Sequence, residues 1–357
     1  MNIRKGKKSQ IPKIIYLTFL NPQYSRSAVN FQNSNSINKF ELIQVPNTIF
    51  RLLWNLVTIN WENRKQINAY VIMSPCHILV IFLRILTRKK IILDAGWSMT
   101  EATLARNANK AQLFKSFIVD FLSFHFANLV LLESRAQIEY SSKMFCVRKS
   151  KLRRLLTGFN EKQLNTSKII AENRSKSSSD LNSSLQIIFR GSYNSESGIE
   201  LIIEAAKKFV AICTFVIVCR NFPKNIVIPS NVVIINKYLT WEELEALYAN
   251  SILALGQISN HPRLQNTIPH KAFEAAFFGK AYVTCDTSSI RELFPNDNDV
   301  FYYDGRGLKS FIDIISEILN DRNSIAAKSK NIRDCYYRSF SQEIIQKEMM
   351  SILREGI

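Results

Sequence analysis

From residue 13 onward, apolar runs of strand length alternate with longer stretches whose apolar positions recur at helical spacing. In the first half, KIIYLTFL, AYVIMS, KKIILDA, NLVLLES and KLRRLLTG read as strands. CHILVIFLRIL, KAQLFKSFIVDFLSFHFA and RAQIEYSSKMF read as the helices between them. The second half repeats the rhythm with LQIIFRG, CTFVIVCR, NVVIINKY, ILALG, KAYVTCD and DVFYYD as strands. Its helices are GIELIIEAAKKFV, WEELEALYANS, PHKAFEAAFFG, the short SSIRELF and GLKSFIDIISEILND, followed by one last amphipathic segment. Thr240 with Glu243 three residues on forms a capping box at the start of WEELEALYANS. Strands alternating with helices predict parallel sheets built from βαβ units. Between the halves, NTSKIIAENRSKSSSDLNSS at 165–184 is rich in Ser and Asn and poor in large apolar side chains, the composition of a linker. The expected division is a first domain over 1–165, a linker over 166–184 and a second domain over 185–339.

Length agrees with two domains, since 357 residues exceed one ordinary core. Charge changes the picture more: 47 Lys and Arg against 29 Asp and Glu give +18. Arg4, Lys5, Lys7, Lys8, Lys13, Arg26 and Lys39 precede the first acid, Glu41, and KMFCVRKSKLRR at 143–154 carries cations only. Such an excess favours an anionic partner, whether phosphorylated substrates or a negatively charged leaflet, or it is a solvated basic surface. Nucleic acid is not expected, because no zinc-finger spacing, RNA-binding signature or basic helix with heptads is present. The six cysteines form no C-x-x-C and sit mostly in strand-like apolar contexts, which fits a reducing cytosol. The strongest apolar run, 71–86, is broken by Pro75, His77 and Arg84 and falls short of a membrane span.

Several chemistries are excluded by inspection. The four histidines, 77, 125, 261 and 270, show no metal-binding spacing, and neither a nucleophile elbow nor a Walker motif occurs. DGRG at 304–307 lacks the third glycine of a dinucleotide fingerprint and reads as a tight turn. Asp297-Asn298-Asp299 reads as a polar surface loop. What remains is Glu274, a lone carboxylate inside the apolar helix PHKAFEAAFF. A helix N-terminus is a natural phosphate site, Pro269 is tolerated at its start, and Lys271 adds a cation. One turn deeper, Glu274 either accepts hydrogen bonds from two ribose hydroxyls or merely complements the helix dipole and Lys271.

The order of elements around that helix resembles a known family. IPHKAFEAAFFGKAYVTCDTSSIREL is similar to the donor-site signature of the retaining GT-B glycosyltransferases, family four, in its Pro-x-Lys-x-x-Glu, Gly-Lys, apolar strand and Glu-Leu helix end. LQIIFRGSYNSESGIELIIEAAKKF resembles the opening of that family's second domain, and NKYLTWEELEALYANSILAL the helix and strand before its donor site. YYRSFSQEIIQKEMMSIL resembles its closing helix; KKIILDAGWSM, NLVLLESRAQIEY and LLTGFNEKQL match its first domain more loosely.

The resemblance implies an α/β chain of two Rossmann-like domains facing across a cleft, with the helix at 340–357 packed back on the first domain. It implies transfer of a sugar from a nucleotide diphosphate sugar to a glycan or lipid-linked acceptor, with retention, no metal and no cofactor beyond the donor itself. Glu274 takes the ribose role, and Lys271, with the amides around Pro269 and His270, sits near the diphosphate. Gly191 is the glycine that lets the loop after the second domain's first strand approach the phosphates. The chain departs from the family at Asn266, where a carboxylate is usual, and at Ser192 and Ser197, where Arg and Lys commonly grip the phosphates. Arg190 or Arg263 are the candidate substitutes, and Asn266 and Thr267 complete the expected donor set. His77 or His125, and Asp94 at a strand end, are first-domain cleft candidates; on its apolar helix His77 reads otherwise as a core or groove residue, and Asp94 as a cap. The expected setting is the cytoplasm, on the inner face of the membrane, in cell-surface polysaccharide assembly. An inactive GT-B binding or scaffold subunit and a nucleotide-sugar epimerase are the alternatives.

Overall fold

The computed structural model describes residues 13–19, 26, 29, 39–45, 54–59, 61, 66–106, 108–161 and 185–356. The expected linker at 166–184 lies outside them. Two parallel sheets of six strands form the frame. The first is ordered β2 (Lys39–Gln44), β1 (Lys13–Thr18), β3 (Ile67–Met73), β4 (Lys90–Gly96), β5 (Leu129–Leu132) and β6 (Leu152–Arg154). The second is ordered β12 (Phe301–Tyr303), β11 (Ala281–Cys285), β10 (Ser251–Leu255), β7 (Leu185–Arg190), β8 (Cys213–Val218) and β9 (Val232–Ile235). In each, the spatial order reverses beside the first strand of the domain, the doubly wound arrangement. The near-continuous apolar runs follow from it. AYVTC in β11 is buried at every position because helices cover both faces of a parallel sheet.

The first sheet carries α1 (Ile78–Leu86), α2 (Met99–Ala105), α3 (Lys110–Phe126) and α4 (Arg135–Met144). The second carries α5 (Ile199–Ala206), α6 (Trp241–Asn250), α7 (His270–Phe277), α8 (Ser288–Leu293) and α9 (Leu308–Asn320). The capping box at Thr240 forms in full, with Thr240 N–H donating to Glu243 at 2.8 Å and Glu243 N–H to Thr240 Oγ1 at 3.2 Å. DGRG is a turn whose Gly305 and Gly307 have φ +73° and +96°, and Asp297 is exposed and paired with Arg291.

The tail differs from the single amphipathic segment expected. It is two helices, α10 (Arg322–Ser339) and α11 (Gln342–Gly356), broken at the buried Phe340 and Ser341. Phe340 turns inward against Phe273 and Phe294, at centroid distances of 5.7 Å each, and this packing ends α10. α11 then lies on the first domain. Gln346 donates to the carbonyl of Val29, and Glu161 N–H donates to Gln342 Oε1 at 2.9 Å.

One apolar cluster joins the two sheets. It runs from Ile14, Val71, Ile92 and Leu131 through Phe159 into α7 and the tail helices. Phe159, just past β6, stacks on Phe277 at 4.5 Å and meets Trp241 edge-on at 5.5 Å. The apolar face of α7 is therefore a joint between domains as well as a core element.

Candidate functional site

A cleft of about 960 Å³ opens where the carboxyl ends of the two sheets face each other, the place where open α/β folds bind ligands. Its second-domain wall is built from the loop after β7 and the start of α7; its first-domain wall is built from the ends of β3, β4, β5 and β6.

α7 begins at His270, with Pro269 as its N-cap residue rather than its first helical position, and no side chain caps it. The first amides are therefore open toward the cleft, where unpaired N–H groups and the helix dipole favour an anion. Lys271 adds the cation. It lines the cleft, donates to Gln257 Oε1 at 2.9 Å and lies 3.8 Å above the Phe189 ring. Burial lowers its ammonium to about 7, with Glu274 opposing the shift and Arg190 adding to it. Gly191 leaves room for this approach: a Cβ there would sit 2.8 Å from Lys271 Nζ and 3.1 Å from the Phe189 ring and would crowd the ammonium.

Glu274 is fully buried on α7, and the residues bordering the cleft above it are His270 and Arg190. Oε1 accepts from Arg190 Nη1 and from His270 Nδ1 at 2.9 Å; Oε2 accepts from Tyr248 at 3.2 Å. Burial pushes this carboxyl up, but Arg190 and His270 outweigh it and hold it down at about 2. Glu274 is covered, because Arg190, just before Gly191, folds over it.

Asn266 faces the other domain. Its Nδ2 donates to Glu101 Oε1 at 2.8 Å, and its carbonyl accepts from Ser134 Oγ at 2.5 Å. A carboxylate at 266 would confront that of Glu101, so the amide and the acid across the interface form a complementary pair. Thr267 and Ser192 line the cleft, whereas Ser197 is buried and donates to Asn194 O at 2.7 Å, holding the loop's turn. Arg263 also lines the cleft, paired through Nη1 with both Glu196 oxygens at 2.8 Å.

On the first-domain wall, Asp94 lines the cleft and accepts from Arg26 Nε. Burial raises its carboxyl despite that cation. Of the histidine candidates, His77 takes its core alternative and His125 lies away from the cleft. His77 is fully buried, stacked 6.3 Å from Phe124, with burial lowering its imidazole. His125 is exposed on α3 with Nδ1 bonded to Phe121 O at 2.8 Å. Neither lines the cleft. Sequence reasoning passed over Glu133, whose carboxylate accepts from Thr157 and whose second oxygen is buried without a hydrogen bond. Like Asp94, it ends an apolar strand at the carboxyl edge, and that position was the available signal. Among the described residues, no group of three or more His, Cys, Asp or Glu is placed to hold a metal ion.

Residues 195–345 match the glycosyl transferase-like family model. The fold is GT-B, and residues 195–345 are similar to that family. Sucrose-phosphate synthase from Thermosynechococcus elongatus superposes with a TM-score of 0.73 at 13% identity, over 96% of this chain and 98% of its own. HepE from Anabaena, in complex with UDP, superposes at 0.72 and 12%, over 97% of this chain and 100% of its own. A glycosyltransferase from Rickettsia africae gives 0.66 and 12%, over 97% and 98%. A sequence comparison with curated proteins finds no match. The GT-B likeness is therefore one of fold, with the glycosyl transferase-like sequence match lying over residues 195–345.

Proposed function

We propose that this chain is a glycosyltransferase that takes a sugar from a nucleotide diphosphate sugar, with retention, and passes it to a glycan or lipid-linked acceptor. The observation that carries the reading is the open amino end of α7 beside Lys271, Arg190 and Gly191 in an interdomain cleft. Negative charge develops on the departing diphosphate, and amides and cations fixed beforehand around it lower the barrier. These groups do the work a metal does elsewhere, so activity is expected to survive chelation with EDTA. HepE has been solved with UDP and with UDP-glucose, which favours a uridine donor. A thermal-shift panel of UDP, GDP and ADP tests the reading. One of them is expected to stabilise the protein by mass action, about 2.7 kcal/mol at a hundredfold excess over Kd. No shift with any of the three overturns it.

The acceptor setting we infer is an anionic membrane surface on the cytoplasmic side, in polysaccharide assembly. The net charge of +18 supports it, as do Phe114 and Ile118, one helical turn apart on α3 and 67% and 37% exposed, with Lys115 beside them. Among the described residues, no helix is long and apolar enough to cross a membrane. Each cation near such a surface contributes about 1 kcal/mol. The protein is expected to float with anionic liposomes at low salt and to be released at high salt. Protein left at the bottom of the gradient at low salt rejects this setting.

A further inference from the structure

The first turn of α4, in the first domain, is completed by a carboxylate from the second. We propose that this acid, Glu292 on α8, is a positioning residue: by capping α4 across the interface it sets how closely the two cleft walls approach and steadies the loop that leads into α7. The clamp stands on its own geometry, and its effect on a ligand rests on the donor reading above.

A helix leaves its first amides without partners of its own, and each must find an acceptor elsewhere. In α4 the N-cap Ser134 accepts from Gln137 N–H at 2.9 Å. The two amides between them, Arg135 and Ala136, donate instead to Glu292, at 2.7 Å to Oε2 and 2.9 Å to Oε1. Both oxygens of one carboxylate are thus spent on one helix end, where the dipole also favours negative charge. Arg154 Nε, at the end of β6, lies 3.5 Å from Oε2 and adds a first-domain cation. The first turn of α4 holds no acid of its own, so its capping charge comes from the second domain. Ser134 crosses the interface as well, donating to the Asn266 carbonyl at 2.5 Å.

The clamp reaches the cleft from both ends. In the first domain, Glu133 lines the cleft one residue before Ser134. In the second, α8 also carries Ser289, whose buried hydroxyl sits between the carbonyls of Leu264 at 2.8 Å and Thr267 at 3.0 Å. Leu264 and Thr267 line the cleft, and Pro269, the N-cap residue of α7, follows two positions on. Ser289 and Glu292 are three residues apart and project from one side of α8. One short helix therefore grips the loop before α7 with one residue and the first domain with the other.

The test compares full-length wild type with Glu292→Ala by small-angle scattering, by hydrogen exchange over residues 134–138, and by calorimetric titration. The titrant is whichever of UDP, GDP and ADP binds wild type best. Exchange over 134–138 is expected to rise about tenfold or more, the loss of hydrogen bonds to a charged group. The radius of gyration should increase as the walls part. Kd for the diphosphate should rise about five- to tenfold, the scale of coupling between linked sites. Glu292→Gln keeps one acceptor oxygen and should fall between the two proteins on all three readouts. Ser289→Ala keeps the clamp but cuts its link to the loop, so it should raise the same Kd without changing the radius. An acid that serves stability alone would lower the urea midpoint and leave radius and Kd as they are, and that result overturns the proposal. Unchanged exchange over 134–138 overturns it too, and so does an unchanged Kd in Ser289→Ala. If Glu292→Ala fails to fold, Glu292→Gln is read by the same criteria. If wild type binds none of the three diphosphates, the donor reading fails, and radius and exchange alone decide the clamp.

Discussion

Lys271→Met is expected to weaken nucleoside diphosphate binding by about 10–100-fold, the loss of one or two hydrogen bonds to a charged group, without weakening the unliganded fold. Both halves follow from one position. Lys271 is only 8% exposed, between the Phe189 ring and Gln257, with its ammonium in the cleft. A cation there costs desolvation energy while the cleft is empty and recovers it when phosphate arrives. Methionine keeps the length and the contact with the ring but removes the charge. The ammonium lowered to about 7 fixes the sign of the pH dependence. Phosphate favours the charged form, so wild-type binding takes up a proton above pH 7, and affinity falls as pH rises toward 9. Lys271→Met should flatten that slope. In the unliganded protein the sign is opposite. Between about 7 and the ordinary lysine value the unfolded chain holds a proton that the native state has lost, so this group makes stability rise with pH. Titration calorimetry in buffers of different ionisation enthalpy reads the proton uptake directly. An equal uptake in Lys271→Met would remove Lys271 from the phosphate site.

How far the sequence led is visible at the same helix. Pro269 and Gly279 placed the start and the end of α7, because proline fixes φ and Gly279 takes the left-handed φ of +61° that other residues avoid, and Lys271 supplied the cation between them. The parallel strands were legible for a related reason. Both faces are covered, so runs such as KIILDA and AYVTC are apolar without alternation. β2 was missed because KFELIQ mixes Lys, Glu and Gln with its apolar residues and lies at the sheet edge, where polar side chains are tolerated. α2 was missed as well, since MTEATLA carries little apolar periodicity; Ser98 caps it by accepting from Glu101 N–H at 3.1 Å.

The site was half legible. Residues named from a local motif do line the cleft: Arg190, Gly191, Thr267 and the α7 triplet from Pro269 to Lys271. Pairings between residues far apart in sequence could not be read from spacing. Glu101 meets Asn266 across 165 positions, and Arg190 reaches Glu274 across 84. Neither distance in sequence carries any periodic signal. The same holds for Glu292, whose carboxylate accepts from Arg135 and Ala136 N–H at 2.7 and 2.9 Å and so caps α4 from the other domain. Seen alone, that acid is simply the end of an IREL helix.

The second large effect is expected at the return of the tail to the first domain. Gly158→Val should destabilise the protein by about 2–4 kcal/mol, from a side chain in left-handed backbone and an overpacked contact. Gly158 has φ +72°, a conformation that a β-branched residue adopts only under strain. An added Cβ would also lie 2.5 Å from Ile345 Cδ1 and 3.2 Å from Val29 Cγ1. Ile345 is fully buried on α11, so the clash bears on the helix that closes the first domain. Gly158→Ala isolates the backbone cost plus a contact that Ile345 can partly yield, and should lose less. Shortening the opposing chain separates the two contributions: in an Ile345→Ala background, Gly158→Val keeps its backbone strain but loses the clash, so its penalty should shrink without vanishing. The measurement is the urea midpoint together with protease sensitivity of α11. An unchanged midpoint for Gly158→Val would mean that α11 does not sit against this turn. A penalty abolished by Ile345→Ala would mean that the backbone at 158 carries no strain. The site has a stake in the outcome. The loop that turns at Gly158 carries Phe159 into its stack on Phe277 of α7, so loosening the tail should also loosen the helix that presents Lys271 and His270 to the cleft.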